Sequence, residues 1–253
     1  MLKFKTDLSK EDFKDLAQTT DFNCVSIYCP ILSHIKVSRE NFIFQIHEVE
    51  QRLLQDGVPN SSAQNILNPL EYIANNDSIW NAYSLEQSKT FVIFINENSI
   101  QSYLINTEID SCMYITTNYY LLPLIKKASS DKLLEDTLKI KKVMLDKDVT
   151  TNRLEKVIPL AMQGKIERLY VSASDDVFGV YDEINQTTII DNEMNSTNMS
   201  LINFAAITTY QRGGDVFLVD NPLAMPVKGV PIQAIIKEEK ETWEFSTLVD
   251  PMK

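Results

Sequence analysis

Glycine is scarce in this chain of 253 residues: there are six, at positions 57, 164, 179, 213, 214 and 229, and none is spaced as a phosphate-cradling loop. A glycine-rich nucleotide-binding motif is thereby excluded. Histidine is scarcer still, with only His34 and His47, and neither stands in a pattern that pairs it with a nucleophile. His47 sits beside Ile46 and next to Glu48 and Glu50, where it reads as a partly exposed structural residue. The three cysteines, Cys24, Cys29 and Cys112, form no close cluster with the histidines, so no metal site is expected. Cys24 and Cys29 lie at odd separation in one apparent strand, so they point to opposite faces, cannot bridge each other, and read as buried free thiols. No apolar run approaches the roughly 20 residues that span a bilayer, and the amino terminus lacks a hydrophobic signal core. The expected location is therefore the cytoplasm, with no membrane partner.

Basic charge is also short. The formal net charge is -11, and acids exceed bases in both halves, so extensive direct RNA binding through phosphates is disfavoured and only limited direct RNA contact is expected. Hydrophobic residues make up 44% and charged residues 23%, the balance of a folded globular protein, and the length accommodates two ordinary domains.

Periodicity supplies the elements. After a short amphipathic start, Asn23-Cys-Val-Ser-Ile-Tyr-Cys alternates as a strand and is stopped by Pro30. Between Val37 and Leu54, Phe42, Ile46, Val49 and Leu53 recur at helical steps, and Gly57 supplies the break. A second helix is expected to start at an Asn60-Ser-Ser cap and to run through Ile66, Leu67, Leu70 and Ile73, with Pro69 marking a kink or a split. Phe91-Val-Ile-Phe-Ile and Ile100-Gln-Ser-Tyr-Leu-Ile flank Asn96-Glu-Asn-Ser as a hairpin, and Ser111-Cys-Met-Tyr-Ile reads as a third strand. Beyond a helical stretch from Leu133 to Asp146, Leu154, Val157, Ile158, Ala161 and Met162 form a clear helical stripe, with Gly164 at a left-handed carboxy cap. The strand Ile166-Glu-Arg-Leu-Tyr-Val follows. Val177-Phe-Gly-Val-Tyr and Thr187-Thr-Ile-Ile are short strands, and a helix from Leu201 to Tyr210 ends at Gly213-Gly214. The strands Val216-Phe-Leu-Val and Ile232-Gln-Ala-Ile-Ile complete the chain. This order predicts an α/β (α+β) fold of two domains, each a mixed sheet flanked by helices: residues 1–127, a linker helix over 128–149, and residues 150–253.

No coherent catalytic set emerges, and neither an enzyme nor a cofactor is expected. The acids Asp175-Asp176, Asp182-Glu183 and Asp191/Glu193 lack an EF-hand pattern and read as solvated loop charge. The one locally basic feature is a run of lysines, Lys126, Lys127, Lys132, Lys139, Lys141, Lys142 and Lys147, interleaved with acids. It reads as an ion-paired helix face, and it is the surface expected to meet RNA or an acidic partner, if any does.

Taken in order, several of these segments resemble the bacterial family related to archaeal and eukaryotic class 1 peptide release factors. In the first half they are Val25-Ser-Ile-Tyr-Cys-Pro30, Glu48-Val-Glu-Gln-Arg-Leu-Leu, Phe91-Val-Ile-Phe-Ile and Tyr119-Tyr-Leu-Leu-Pro-Leu-Ile. In the second half they are Ala161-Met-Gln-Gly-Lys-Ile-Glu-Arg-Leu-Tyr-Val, Phe178-Gly-Val-Tyr-Asp, Gly213-Gly-Asp-Val-Phe-Leu-Val, Met225-Pro226 and Ile232-Gln-Ala-Ile-Ile. The resemblance implies a release-factor-like amino-terminal domain and a third domain whose fold is similar to RNA-binding ribosomal proteins. It also implies a missing middle domain, the one that carries the catalytic Gly-Gly-Gln loop; that tripeptide occurs nowhere in the chain. The family's codon-reading loop falls near Gly57-Val-Pro-Asn-Ser-Ser-Ala, where Asn60, Ser61 and Ser62 replace its Asn-Ile-Lys-Ser signature. The function so implied is a non-catalytic, translation-associated binding protein, such as a ribosome hibernation, stress or rescue accessory. Its partner would be the ribosome or a translation factor, held through Lys126, Lys127, Lys139, Lys141, Lys142, Asn60, Ser61 and Ser62. The alternative is a protein–protein interaction module no longer acting on the ribosome.

Overall fold

The computed structural model describes residues 4–5, 8–85, 89–125, 137–138, 140 and 149–237. The stretch expected to form a helix between Leu133 and Asp146 lies almost entirely outside the described residues, as do Lys126, Lys127, Lys132, Lys139, Lys141, Lys142 and Lys147. The fold is α/β, with helices packed on mixed sheets.

The first half is built on a five-stranded sheet. Its strands are β1 (Phe4–Lys5), β2 (Thr20–Pro30), β3 (Thr90–Ile95), β4 (Ile100–Ile105) and β5 (Cys112–Asn118), in the order β1-β4-β3-β2-β5. Only the β1–β4 pair is parallel. The helices are α1 (Lys10–Gln18), α2 (Ile35–Gln55), α3 (Asn60–Asn75) and α4 (Asp77–Leu85). The expected β3–β4 hairpin is present, with Ile95 opposite Ile100 and the Asn96 side chain accepting from the backbone N–H groups of Asn98 and Ser99 in the turn. The Phe42, Ile46, Val49 and Leu53 stripe of α2 is buried. It packs with Ile66, Leu70 and Ile73 of α3, Trp80 of α4, and Val25, Ile27, Phe91 and Ile93 of the sheet.

Three details of this half differ from expectation. Pro59, not Asn60, occupies the cap position of α3, and Asn60 is already helical. The helix also runs unbroken through Pro69, because the tertiary packing of Leu67, Leu70 and Ile73 outweighs the loss of one backbone bond. The short helix α4 was not anticipated. Asn76 starts it by accepting from the N–H groups of Ser78 and Ile79, and Trp80 anchors it by donating from its indole to the Ile73 carbonyl.

The second half holds a four-stranded mixed sheet. Its strands are β6 (Thr150–Thr151), β7 (Ile166–Ser172), β11 (Asp215–Val219) and β12 (Ile232–Ile236), ordered β11-β7-β12-β6 with β7 and β11 parallel. Helices α5 (Leu154–Met162) and α6 (Leu201–Gln211) pack on one face. A smaller antiparallel sheet, β8 (Phe178–Asp182), β9 (Thr187–Asp191) and β10 (Met199–Ser200), is inserted between β7 and α6 in the order β10-β8-β9. Gly164 and Gly213 end α5 and α6 with φ of 68° and 79°, a region that L side chains rarely enter. A Cβ on Gly214 would meet the Ile166 carbonyl oxygen at 2.6 Å, so the glycine pair closes a helix against β7.

One hydrophobic cluster runs through both halves. It takes Leu16, Cys24, Tyr28, Val92 and Phe94 from the first and Val157, Ala161, Leu169, Ile202 and Leu218 from the second. Between them passes the irregular segment 119–122, whose side chains are all buried. Buried backbone must find partners, and here they come from both sides. The Tyr120 N–H donates to Ser26 Oγ at 2.9 Å, and the Tyr120 carbonyl accepts from the Tyr28 hydroxyl at 2.6 Å. On the other side, Asn203 of α6 accepts from the N–H groups of Leu121 and Leu122 at 2.9 and 3.1 Å and donates to the Tyr119 carbonyl at 3.0 Å. Among the described residues, no helix is long and apolar enough to cross a membrane.

Removing the Asn203 amide strands two buried N–H groups and one carbonyl. Asn203→Ala is therefore expected to cost at least about 2 kcal/mol, given about 1–3 kcal/mol for each unsatisfied group. Urea denaturation monitored by far-UV circular dichroism should show the loss, and an unchanged midpoint would refute the clasp.

Candidate functional site

The second half's parallel strands β7 and β11 end side by side at Ser172 and Val219, and the carboxyl ends of such strands are where open α/β sheets commonly leave a crevice. A cleft of about 170 Å³ lies there. Ala173, Leu218 and Asp220 line it from the second half, and Glu108, Ile109, Asp110, Cys112, Tyr114, Tyr120, Leu122 and Pro123 from the first. It is a feature of the seam, assembled only because segment 119–122 holds the two halves together.

Aromatic rings and acids dominate this cleft. Tyr114 and Tyr120 stack with centroids 3.6 Å apart and planes 11° from parallel. Glu108, Asp110 and Asp220 are exposed at the rim. Behind the tyrosines lies Asp176. Its Oδ1 accepts from the Ser200 hydroxyl at 2.6 Å and from the Val177 N–H at 2.8 Å, while its Oδ2 is buried without a hydrogen-bond partner. Burial pushes the Asp176 carboxyl up to about 6, against the opposing pull of those two hydrogen bonds. Burial also raises the Tyr114 hydroxyl to about 12, with smaller contributions from the charge of Asp176 and from Cys112. Tyr120 is raised as well, by burial first and then by Asp176. The Cys112 thiol is lifted to about 12 by burial and then by Asp110, so at neutral pH it stays protonated and is no nucleophile. An apolar floor with aromatic faces and an acidic rim suits a positively charged group, such as a lysine or arginine side chain.

The residues singled out from sequence do not meet at this cleft. Asn60 and Ser61 are exposed in the first turn of α3, with Ser62 partly covered beside them. Nearby, Asp56 at the end of α2 accepts from the Ser196 N–H at 2.7 Å, which ties the α2–α3 turn to the loop before β10. Lys126, Lys127, Lys139, Lys141 and Lys142 lie outside the described residues. His34 precedes α2, and His47 Nδ1 lies 3.4 Å from Glu50 Oε2 on the exposed face. All three cysteines are free, and Cys24 and Cys29 face the two different cores, in keeping with their spacing. Among the described residues no group of three or more metal-ligating side chains occurs.

The reading of the clustered acids as solvated loop charge needs correction at Asp176, which burial and two hydrogen bonds make part of the seam. Asp182 is partly covered and engaged, accepting from Ile184 and Asn185 in the β8–β9 turn, and those bonds hold its carboxyl below the usual range. Sequence spacing does not separate Asp175 from Asp176. The neighbouring Val177-Phe178, which carries the chain inward, was the only local signal.

Because the Asp176 carboxyl titrates higher in the folded chain than in the unfolded one, the native state binds more protons between about pH 4 and 6. Its contribution to stability therefore falls as pH rises through that window and levels off above it. Asp176→Asn retains an acceptor for Ser200 and Val177 and removes the buried charge. The variant should melt with the parent near pH 4 and about 2–4 °C above it at pH 7.5, the shift that about 1 kcal/mol produces in a chain of this size. An equal difference at both pH values would show that Asp176 does not titrate in that window.

No protein-family model matches the chain, and no curated protein matches it.

Proposed function

We propose that this chain is a non-catalytic, translation-associated binding protein, in the class of ribosome hibernation, stress or rescue accessories. The observation that carries this reading is the clasp at segment 119–122, which joins the two halves directly through buried hydrogen bonds and one continuous core. A chain so joined presents two fixed surfaces to one partner, and the lysines between Lys126 and Lys147 supply its basic contact. With both halves acidic overall, contact with RNA is confined to that basic stretch, and protein components of the ribosome or a translation factor provide the remainder.

A second reading, a protein–protein interaction module acting away from the ribosome, is favoured by the acid-rimmed, tyrosine-lined cleft at the seam, which suits a cationic side chain better than a phosphate. Sedimentation with 70S ribosomes at low and moderate salt separates the two. The chain should pellet with ribosomes, more weakly as salt rises, and a Lys139→Glu/Lys141→Glu/Lys142→Glu variant should pellet at least threefold less. No co-sedimentation at either salt, including with ribosomes from growth-arrested cells, would reject the ribosome as partner. Undiminished binding of the variant would reject the basic stretch as the contact.

A further inference from the structure

Between Arg168 and Arg212 the sequence holds no lysine, arginine or histidine, while Asp175, Asp176, Asp182, Glu183, Asp191 and Glu193 all fall within that interval. Most of the interval forms the small β10-β8-β9 sheet and its connections. Strand β9 is at the margin of this sheet and pairs with β8 alone among the described residues. Its sequence, Thr187-Thr188-Ile189-Ile190-Asp191, strings together four β-branched residues with no proline, glycine or lysine. Natural edge strands are usually blunted by such residues, because an open row of backbone N–H and C=O groups templates the addition of another strand.

Exposure supports the same reading. Neighbouring residues of a strand point to opposite faces, yet Ile189 and Ile190 are 60% and 54% exposed, Val180 across the ladder is 39% exposed, and Ile184 in the turn is 93% exposed. Helix α5 lies near β9 and leaves both isoleucines accessible. Acids bracket this apolar edge. Asp182 and Glu183 stand at the turn, and Asp191 and Glu193 lie at the far end of β9.

We infer that β9 docks an extended, lysine- or arginine-bearing segment of a partner protein, which adds as a further strand. Its main chain would pair with the open edge, its apolar side chains would cover Ile189 and Ile190, and its cations would meet the acids at the two ends. A second copy of this chain does not fit. Antiparallel pairing of two β9 edges would bring the Asp191 end of each copy against the Asp182–Glu183 end of the other, and like charges so placed oppose association. RNA is disfavoured by the same acids. This docking deepens the reading of the chain as a binding protein and is independent of whether the partner belongs to the ribosome.

The probe is a fluorescein-labelled peptide of five valine–lysine repeats, titrated into the full chain by anisotropy, with amide hydrogen exchange following the β8–β9 hairpin. The lysine peptide should bind saturably and slow exchange within β9. A valine–glutamate peptide of the same length should bind at least tenfold more weakly, and Ile189→Lys should weaken the lysine peptide at least tenfold. Should Ile189→Lys fail to fold by circular dichroism, Glu183→Lys in the exposed turn replaces it, with at least threefold weakening expected. Docking at β9 is overturned by any of four results: no binding of the lysine peptide, equal binding of the two peptides, protection confined to other strands, or unchanged affinity in the folded variant. Self-association of the chain through β9, seen by sedimentation velocity, would overturn it in favour of a homodimer. Ribosome sedimentation is a separate readout, so either result can fail while the other stands.

Discussion

The interaction on which the rest of this structure depends is the satisfaction of one short buried backbone segment. Residues 119–122 are neither helix nor strand over most of their length, yet they lie between two sheets where water cannot serve their amides. Unpaired, those groups would oppose burial of the tyrosines and leucines that carry them. Ser26 and Tyr28 from a central strand serve one residue, and a single asparagine from α6 serves its neighbours on the other side. The apolar cluster can then be continuous, and the crevice at the ends of β7 and β11 acquires its tyrosine floor from the opposite half.

Strand β2 is the other half of that constraint. Its even-numbered residues Cys24, Ser26 and Tyr28 face the seam, and its odd-numbered residues Val25, Ile27 and Cys29 face α2 and α3. All six are buried, so this stretch of the strand has no solvent face. A slip of one residue would exchange the two sets and withdraw both hydroxyls from Tyr120. The Gln45 amide reinforces the register by donating to the Tyr28 and Cys112 carbonyls and so tying α2 to β2 and β5.

What was legible in the sequence is what local periodicity encodes. The stripe Phe42, Ile46, Val49 and Leu53, the hairpin around Asn96 and the helix end at Gly164 each depend on residues within a few positions of one another. The mixed α/β architecture follows from their order. Asn203 escaped because its partners are about eighty positions away in sequence. The signal was nonetheless present, since an asparagine amid Leu201, Ile202, Ala205 and Ala206 in the apolar first turns of the helix has to bond to something once buried. The two-residue strands β1, β6 and β10 are too short to show alternation, and their positions are set by neighbours. Asp176 became distinct from Asp175 only through packing against Ser200 and the seam. The cation-free interval around β9 was visible as composition, but its meaning required knowing that β9 lies at a sheet margin.

The opposed orientation of Cys24 and Cys29 has a kinetic consequence. Burial lifts both thiols to about 12, so neither reacts with an alkylating reagent until its own surroundings open. One thiol faces the seam shared by the two halves and the other faces the helical layer of the first half, five positions apart on the same strand. Their labelling rates thus register two separate opening events. A seam that parts before the helical layer loosens would release Cys24 first, and a fully concerted opening would release both at a single rate.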